Sequence, residues 1–155
     1  MTSCREAALA YLARRAHGRR ELERKLGRKG FDAAEVETVL EALTARGLID
    51  DAATSEAFVR ARTGRGMGRN RIASELQSRG LGRGDIDGAL AKIPREEERE
   101  ALGKALEKRS RTLPAGLTPA GRSKKLFDHL VRRGFSSAAV LEALRKKGEP
   151  PDDPE

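Results

Sequence analysis

One pattern of six residues occurs three times in this sequence and constrains its fold more than any other feature. In each copy an apolar residue is followed four positions later by Leu, and Gly stands four positions after that. An apolar residue comes next, another lies five positions on, and Leu follows after four more. The copies begin 50 and 54 residues apart, a period typical of helical repeat proteins, so the sequence predicts three tandem units. The positions are Leu22, Leu26, Gly30, Phe31, Val36 and Leu40; Ile72, Leu76, Gly80, Leu81, Ile86 and Leu90; and Leu126, Leu130, Gly134, Phe135, Val140 and Leu144.

Each copy has the pattern of two helices separated by a glycine. In the first copy Leu22 and Leu26 lie on one helical face. Gly30 can adopt the left-handed conformation that ends a helix, and Asp32 can cap the next helix. The corresponding residues of the other copies are Gly80 with Asp85, and Gly134 with Ser136 or Ser137.

A third helical segment precedes each of these pairs. The segments cover about 3–16, 51–63 and 94–111, and the first begins with a capping box of Ser3 and Glu6. Alternating runs of β-branched and polar residues are absent from the sequence, so nothing predicts a strand. We therefore expect an all-α fold of three tandem three-helix repeats.

The same pattern sets the expected boundaries of the repeats. Repeat 1 covers residues 1–47, repeat 2 residues 48–93 and repeat 3 residues 94–148. Because a unit of about 50 residues buries little apolar surface by itself, we expect the three repeats to stack. Three segments are expected to be irregular: a flexible basic connector at 63–70, a linker rich in proline and glycine at 112–121 that acts as a hinge, and a disordered acidic tail at 149–155.

The sequence contains none of the patterns that predict a membrane segment, a metal site or an active site. No stretch is apolar enough to span a bilayer, and the residues after Met1 lack the apolar core of a signal peptide, so we expect a cytoplasmic protein. Cys4 is the only cysteine, and His17 and His129 lack further ligands at metal-binding spacing. We expect neither catalysis nor a cofactor or metal. Because no repeat has an obvious unpaired apolar face, we expect a monomer.

Positive charge is concentrated in two stretches of the chain. The formal net charge is +8, and the last seven residues contain four acids and no base, so the rest of the chain is more basic still. A surface of this kind attracts polyanions. Two long stretches contain Arg and Lys but no acid. The candidate contact residues are Arg60, Arg62, Arg65, Arg69 and Arg71 in the first basic cluster, and Lys108, Arg109, Arg111, Arg122, Lys124 and Lys125 in the second basic cluster.

The residues alone leave the nature of the anionic partner open. Guanidinium groups bind both phosphate and carboxylate, so the clusters could contact DNA or an acidic protein. The aromatic residues occupy positions in the apolar stripes, which argues against stacking on unpaired bases. Any DNA binding is therefore expected to be electrostatic and weakly sequence-selective. Basic residues directly before the glycines, such as Arg132 and Arg133, are expected to stabilise helix C-termini.

One set of residues, spread over the three repeats, has a distinctive order and spacing. Its members are Ala8, Leu9, Tyr11, Leu12, Ala13, Arg14, Arg15, Glu21, Leu22, Lys25, Leu26, Lys29, Gly30 and Phe31; Gly47, Leu48, Ile49, Asp50, Asp51, Phe58, Val59, Arg62, Gly68, Ile72, Glu75, Leu76, Arg79 and Gly80; and Leu130, Arg133, Gly134, Phe135 and Ser136. In that order and spacing the chain resembles the bacterial RecX family, the regulators of the RecA recombinase. The resemblance extends from about residue 6 to residue 147.

The resemblance implies a fold and a function. The repeats would form an elongated, curved array that lies in the helical groove of the RecA filament on DNA. The array would restrain ATP hydrolysis, strand exchange and coprotease activity by the filament. One alternative is a general DNA-binding module of helix-turn-helix-like repeats. Acids such as Glu35, Glu37 and Asp85 in the third helices argue against that alternative, because they repel phosphates. Another alternative is a helical scaffold that binds a different acidic protein.

Overall fold

The computed structural model describes residues 1–151, and over that range the chain forms nine helices and no strand. The predicted all-α fold is confirmed. Residues 152–155, which belong to the predicted acidic tail, lie outside the described residues. The helices are α1 (Cys4–Arg14), α2 (Arg19–Arg28), α3 (Ala33–Ala45), α4 (Asp51–Gly64), α5 (Arg69–Ser78), α6 (Arg83–Ala91), α7 (Arg95–Thr112), α8 (Pro119–Arg132) and α9 (Ser137–Lys147).

Side chains cap several of these helices at the predicted residues. In the capping box of α1 the Glu6 amide donates to Ser3 Oγ at 3.1 Å, and the Ser3 amide donates to Glu6 Oε2 at 2.9 Å. Asp32 caps α3, and Ser136 caps α9. The predicted cap at Asp85 is wrong, because α6 begins after a glycine without a side-chain cap. Asp85 lies inside the first turn, where its carboxylate complements the helix dipole.

The linker before α8 is shorter than the predicted 112–121. Pro119 and Gly121 belong to the first turn of α8, and the Gly121 amide donates to Thr118 Oγ1 at 3.0 Å. Proline suits the first helical position because the amide that it lacks has no intrahelical acceptor there. The segment without helix is therefore reduced to 113–118.

The repeated glycines have the structural role that the sequence predicts. Gly30, Gly80 and Gly134 have φ angles of 94°, 80° and 102°, in the left-handed region that glycine adopts without steric cost. After each of them, the next amide donates back to a leucine carbonyl of the preceding helix, at 3.3, 3.1 and 3.2 Å. These bonds end α2, α5 and α8 in the same way and turn the chain into the following helix.

The chain folds into two compact units, of which unit 1 comprises Met1–Phe58 and Glu75–Lys92. The start of α2 lies very close to the turn after α5, since a Cβ atom on Gly18 would lie 2.9 Å from Leu81 Cδ2. Apolar side chains of α1, α2 and α3 form a common core. Its buried members are Cys4, Ala7, Ala8, Leu22, Leu26, Val36, Leu40, Leu43 and Ile49.

A buried histidine in unit 1 belongs to a polar network at the start of α2. His17 is only 3% exposed, and its Nδ1 lies 2.9 Å from the Arg15 carbonyl oxygen. Its Nε2 lies 2.9 Å from the Lys25 ammonium, so this nitrogen accepts a hydrogen bond and the ring is neutral. Glu21 accepts hydrogen bonds from Arg15 and pairs with Lys25 at 3.2 Å. Burial is the main cause that lowers the pKa of His17. The hydrogen bond to the Arg15 carbonyl and the Glu21 charge oppose this shift, and the Arg15 and Lys25 charges add to it.

Unit 2 comprises Val59–Ser74 and the residues from Ile93 onward. Its core is formed by α7, α8 and α9, and Phe135, at 2% exposure, fills the space behind the turn that ends α8. The leucines of the third copy of the sequence pattern lie in this core, as their spacing predicts. The buried members are Ala101, Leu102, Leu106, Leu126, Leu130, Phe135, Val140 and Leu144.

The first residue of the predicted tail packs against unit 2. The Glu149 carboxylate forms an ion pair with Nε of Arg122, and Ser123 Oγ donates to the Glu149 carbonyl oxygen at 3.0 Å. Arg122 Nη2 also donates to the Ser110 side chain at the end of α7. The predicted tail over 149–155 is thus bonded to unit 2 at its first residue.

Candidate polyanion-binding groove

A groove of about 870 Å³ lies within unit 2. Three parts of the unit line it: the end of α4 with the loop that follows, one side of α7, and the end of α8. Two of its lining residues, Glu97 and Glu100, are acidic, and the other charged ones are basic. We name it the basic groove. Its basic residues are Arg62, Arg65, Lys104, Lys108, Arg109 and Arg133.

α7 supplies the longest wall of the basic groove. Leu102 and Leu106 are spaced by four residues and face the core of unit 2. Lys104 and Lys108 have the same spacing on the side that lines the groove, where both are exposed. Their Cα atoms are therefore about 6 Å apart along the helix axis. One apolar stripe thus fixes the orientation of α7 and directs two lysines to the groove.

The Arg133 side chain holds the loop after α4 in place. Its Nη2 donates to the Arg65 carbonyl oxygen at 2.6 Å, and its Nε donates to the Gly66 carbonyl oxygen at 3.2 Å. These carbonyls lie just after α4 ends, where the helix dipole also favours a positive charge. Arg133 therefore shapes the groove in addition to supplying charge.

Backbone hydrogen bonds connect the same loop to the end of α8. The Gly68 amide donates to the Arg133 carbonyl oxygen at 2.8 Å, and the Asn70 amide donates to the Gly134 carbonyl oxygen at 3.0 Å. The amides at the start of α5 thereby meet the carbonyls that follow α8, an arrangement that also pairs opposite ends of helix dipoles. The connector is shorter than the predicted 63–70, because Thr63 and Gly64 belong to α4, and Arg69 and Asn70 belong to α5. Hydrogen bonds hold the residues between the two helices.

Several cations of the groove are not neutralised. Lys104, Lys108, Arg109 and Arg133 form no ion pair with any residue that the structure describes. The Arg109 Nη1 has only a long contact of 3.4 Å to Thr112 Oγ1. Its Nε is buried and has no hydrogen-bond partner in the described part of the chain. An anion in the groove would supply the negative charge that these side chains lack.

His129 lies on the groove wall contributed by α8. It is half-buried, and burial is the main cause that lowers the pKa of its imidazole. The positive charges of Arg109, Arg133 and Arg132 lower the pKa further. His129 is therefore neutral at pH 7, beside a group of permanent cations.

The five arginines of the first basic cluster do not all line the basic groove. Arg62 and Arg65 line the basic groove. Arg69 forms an ion pair with a carboxylate of α7 at 2.9 Å, so part of its charge is compensated. Arg60 and Arg71 are exposed and lie outside the groove lining.

The members of the second basic cluster also lie in different places, and only two of them line the basic groove. Lys108 and Arg109 line the basic groove. Arg111 is exposed and pairs with a carboxylate one turn earlier at 3.6 Å. Arg122 is engaged inside unit 2 with the residues described above. The remaining members, which are exposed on α8 outside the groove, are Lys124 and Lys125.

Two basic residues and one histidine of the groove are absent from the candidate contacts that the sequence predicts. Lys104 precedes Lys108 by four residues, so helical spacing could have added it to the second basic cluster. The sequence predicts for Arg133 only a role at a helix end. In the structure Arg133 also bonds the loop after α4 and lines the basic groove. His129 carries no sequence signal for this position, because its neighbours in the groove come from three separate segments.

Three family models match the chain in order. The model described as "RecX, first three-helix domain" matches residues 4–43, the second three-helix domain matches residues 50–90, and the third matches residues 96–144. This chain belongs to the RecX family.

Individual RecX proteins are similar over nearly the whole chain. Regulatory protein RecX of Halorhodospira halophila (strain DSM 244 / SL1) is 45% identical over 147 residues, which are 94% of this chain and 88% of that protein. A crystal structure of regulatory protein RecX matches with a TM-score of 0.83 at 28% identity, covering 92% of this chain and 71% of that one. The crystal structure of RecX from Lactobacillus salivarius matches with a TM-score of 0.79 at 22% identity, and the match covers 92% of this chain and 93% of that one. It shows that the two chains share a fold.

The RecX family domains correspond to three successive sets of three helices, α1–α3, α4–α6 and α7–α9. The tandem three-helix organisation predicted from the sequence is therefore confirmed. The compact units divide the chain differently, because α4 and α5 each contribute residues to both units. The groove lining accordingly comes from the second and third RecX domains.

The described residues contain neither a group of metal ligands nor a membrane-spanning helix. Over 1–151, no three His, Cys, Asp or Glu side chains come together in a group that could hold a metal ion. Within the same range, no helix combines the length and the apolar composition needed to cross a bilayer.

Proposed function

We propose that this RecX-family chain is a negative modulator of the RecA recombinase that binds in the groove of the RecA filament on DNA. Binding would restrain ATP hydrolysis and strand exchange, and the protein would act without catalysis of its own, as a monomer in the cytoplasm. Its membership of a family of regulatory proteins supports a regulatory role. The elongated, curved shape implied by the family resemblance stays a prediction.

The observation that carries the proposal is the concentration of unneutralised positive charge in the basic groove. DNA phosphates and the carboxylates of an acidic protein surface are both suitable ligands for Lys104, Lys108 and Arg109. A filament of protein on DNA offers both kinds of anion along its length. A ligand held by several neighbouring protomers would resist the subunit rearrangements that accompany ATP turnover.

A steady-state ATPase assay of RecA on single-stranded DNA tests this function. We expect the chain, added at less than one molecule per RecA protomer, to lower the rate of ATP hydrolysis. The double variant Lys104→Gln/Lys108→Gln should inhibit less at equal concentration. An unchanged ATPase rate in the presence of wild-type chain that is bound to the filament would refute the proposal.

The second candidate function is general DNA binding without a recombinase partner. The same groove supports it, because electrostatic contacts to phosphate need no second protein. Binding to DNA alone, with the same affinity as to RecA filaments and with no effect on ATP hydrolysis, would favour this alternative.

A further inference from the structure

Two arginines of the basic groove share its lining with His129, the one histidine among the described groove residues. Arg109 comes from α7 and Arg133 from the end of α8, and with His129 they line one groove. Both arginines lack an ion pair among the described residues, and both charges act on the imidazole. A neutral, ionisable ring is thus placed beside cations that an incoming anion would neutralise.

We infer that Arg109, His129 and Arg133 form a phosphate subsite of the basic groove, in which binding of a nucleic-acid phosphate is accompanied by protonation of His129. This inference rests on the proposed function, because it assigns the ligand class and the pH response of the same groove. The proton comes from the solvent and binds to the ring nitrogen that carries none. Arg109 donates to the phosphate oxygens through its terminal Nη groups, and Arg133 donates through the N–H groups that do not bond the Arg65 and Gly66 carbonyl oxygens. The imidazolium adds a third charged donor.

The phosphodiester backbone of a nucleic acid fits this groove better than an acidic peptide does. Lys104 and Lys108 continue the positive wall along α7 from the subsite, about one helical turn apart. A nucleic-acid strand carries one phosphate at each regular step, so it can place charges against the subsite and the lysines together. We therefore assign the site to the backbone of a nucleic-acid strand.

The charged groups around His129 set the direction of the effect. Arg62 and Arg65 face the groove from the end of α4 and its loop. The other groups that line it or lie next to the ring are Glu97, Glu100, Lys104, Lys108 and Arg109 on α7, and Arg132 and Arg133 at the end of α8. Cations outnumber carboxylates in this set, so the free groove opposes protonation. A bound phosphate reverses the balance, raises the pKa of His129 and draws in a proton.

Proton uptake makes binding tighter in acid. In the free protein His129 is neutral at neutral pH, and in the complex it holds its proton to a higher pH. Affinity therefore rises as the pH falls through the pKa of the complex, and levels off below the pKa of the free protein. A rise of one unit in the pKa on binding corresponds to about a tenfold gain in affinity across this range.

The two histidines of this chain allow a direct test by NMR. The Cε1 proton of each ring is titrated between about pH 5 and about pH 8, with and without a saturating short oligothymidylate. We expect the midpoint of His129 to rise by about one unit on binding, and that of His17, buried in unit 1, to stay unchanged. An unchanged or lower midpoint for His129 in the complex would overturn the inference.

Binding measurements separate this inference from the proposed function. Wild-type affinity for the oligothymidylate should increase about tenfold from pH 7.5 to pH 5.5, and His129→Gln should abolish the increase whatever its affinity at neutral pH. If pH has the same effect on wild type and variant while the wild type inhibits RecA, the inference fails and the function stands. If polyglutamate raises the His129 midpoint and oligothymidylate does not, the site binds carboxylates and the phosphate assignment fails.

Discussion

Gly68 and Gly134 approach so closely that a Cβ atom on Gly68 would lie 2.3 Å from the carbonyl carbon of Gly134. Backbone atoms cannot move aside as a flexible side chain can, so this contact requires glycine at position 68. The two glycines join the start of α5 to the end of α8 and thereby position the loop that lines the basic groove.

Gly68→Ala should strongly destabilise the protein. The added methyl group must displace the backbone around Gly134, and overpacking of this kind costs about 1–3 kcal/mol or more. Gly103→Ala is the matched control in the same unit, because Gly103 lies within α7 and a Cβ atom there meets nothing within 4 Å. It should stabilise the helix by about 0.5–1 kcal/mol. Urea unfolding of both variants checks this, and equal stabilities would contradict the contact.

Replacing Arg133 should loosen the loop after α4. Arg133→Met removes the hydrogen bonds to the Arg65 and Gly66 carbonyl oxygens, with an expected loss of about 1–3 kcal/mol. Arg132→Met, at the exposed neighbouring position, should change stability by less than about 0.5 kcal/mol. Amide hydrogen exchange of the loop should be faster only in the Arg133 variant. Equal exchange in the two variants would show that Arg133 does not hold the loop.

Stability should decrease as the pH falls below about 6.5. The pKa values of His17 and His129 are lowered in the folded protein, chiefly by burial, so the unfolded chain takes up protons first. The stabilisation is complete above the pKa of the unfolded chain and is lost towards the folded-state values. Urea unfolding at several pH values measures this loss. In His129→Gln the loss due to His17 should remain, and a variant whose stability is independent of pH over this range would contradict the buried, neutral state of His17.

Arg122 should contribute to stability and little to binding. It joins α8 to Ser110 and Glu149, so Arg122→Met should cost about 1–2 kcal/mol. Lys124→Met, two positions away on an exposed face, should cost less than about 0.5 kcal/mol. Thermal unfolding and DNA affinity measured on both variants check this assignment. A large loss of DNA affinity in an Arg122→Met protein that keeps its stability would show that Arg122 belongs to the binding surface.

The fold was predictable because the signals that define it are local in the sequence. The spacing of Leu22 and Leu26, the stop at Gly30 and the cap at Asp32 each involve residues within about three helical turns. The predicted cap at Asp85 is wrong because an acidic residue near the start of a helix can either cap the helix or complement its dipole. The sequence alone does not distinguish these two roles.

The candidate site was predictable only in part. The sequence indicates the two basic clusters, and the structure brings Arg62 and Arg65 of the first together with Lys108 and Arg109 of the second. Which cluster members are neutralised depends on contacts between distant segments, such as that of Arg122 with residues of α7 and the tail. No local pattern encodes such contacts, so the sequence alone could not separate binding residues from structural ones.

The most direct test of binding through the basic groove compares two double variants that remove the same charge. Lys104→Gln/Lys108→Gln changes the basic groove, and Lys124→Gln/Lys125→Gln changes the exposed face of α8 outside it. Affinity for RecA filaments on single-stranded DNA is measured for both and for the wild type at several salt concentrations. We expect the groove variant to bind about tenfold more weakly and with a shallower salt dependence, while the affinity of the α8 variant stays close to that of the wild type. Equal losses of affinity in the two variants, or a loss confined to the α8 variant, would contradict binding through the basic groove.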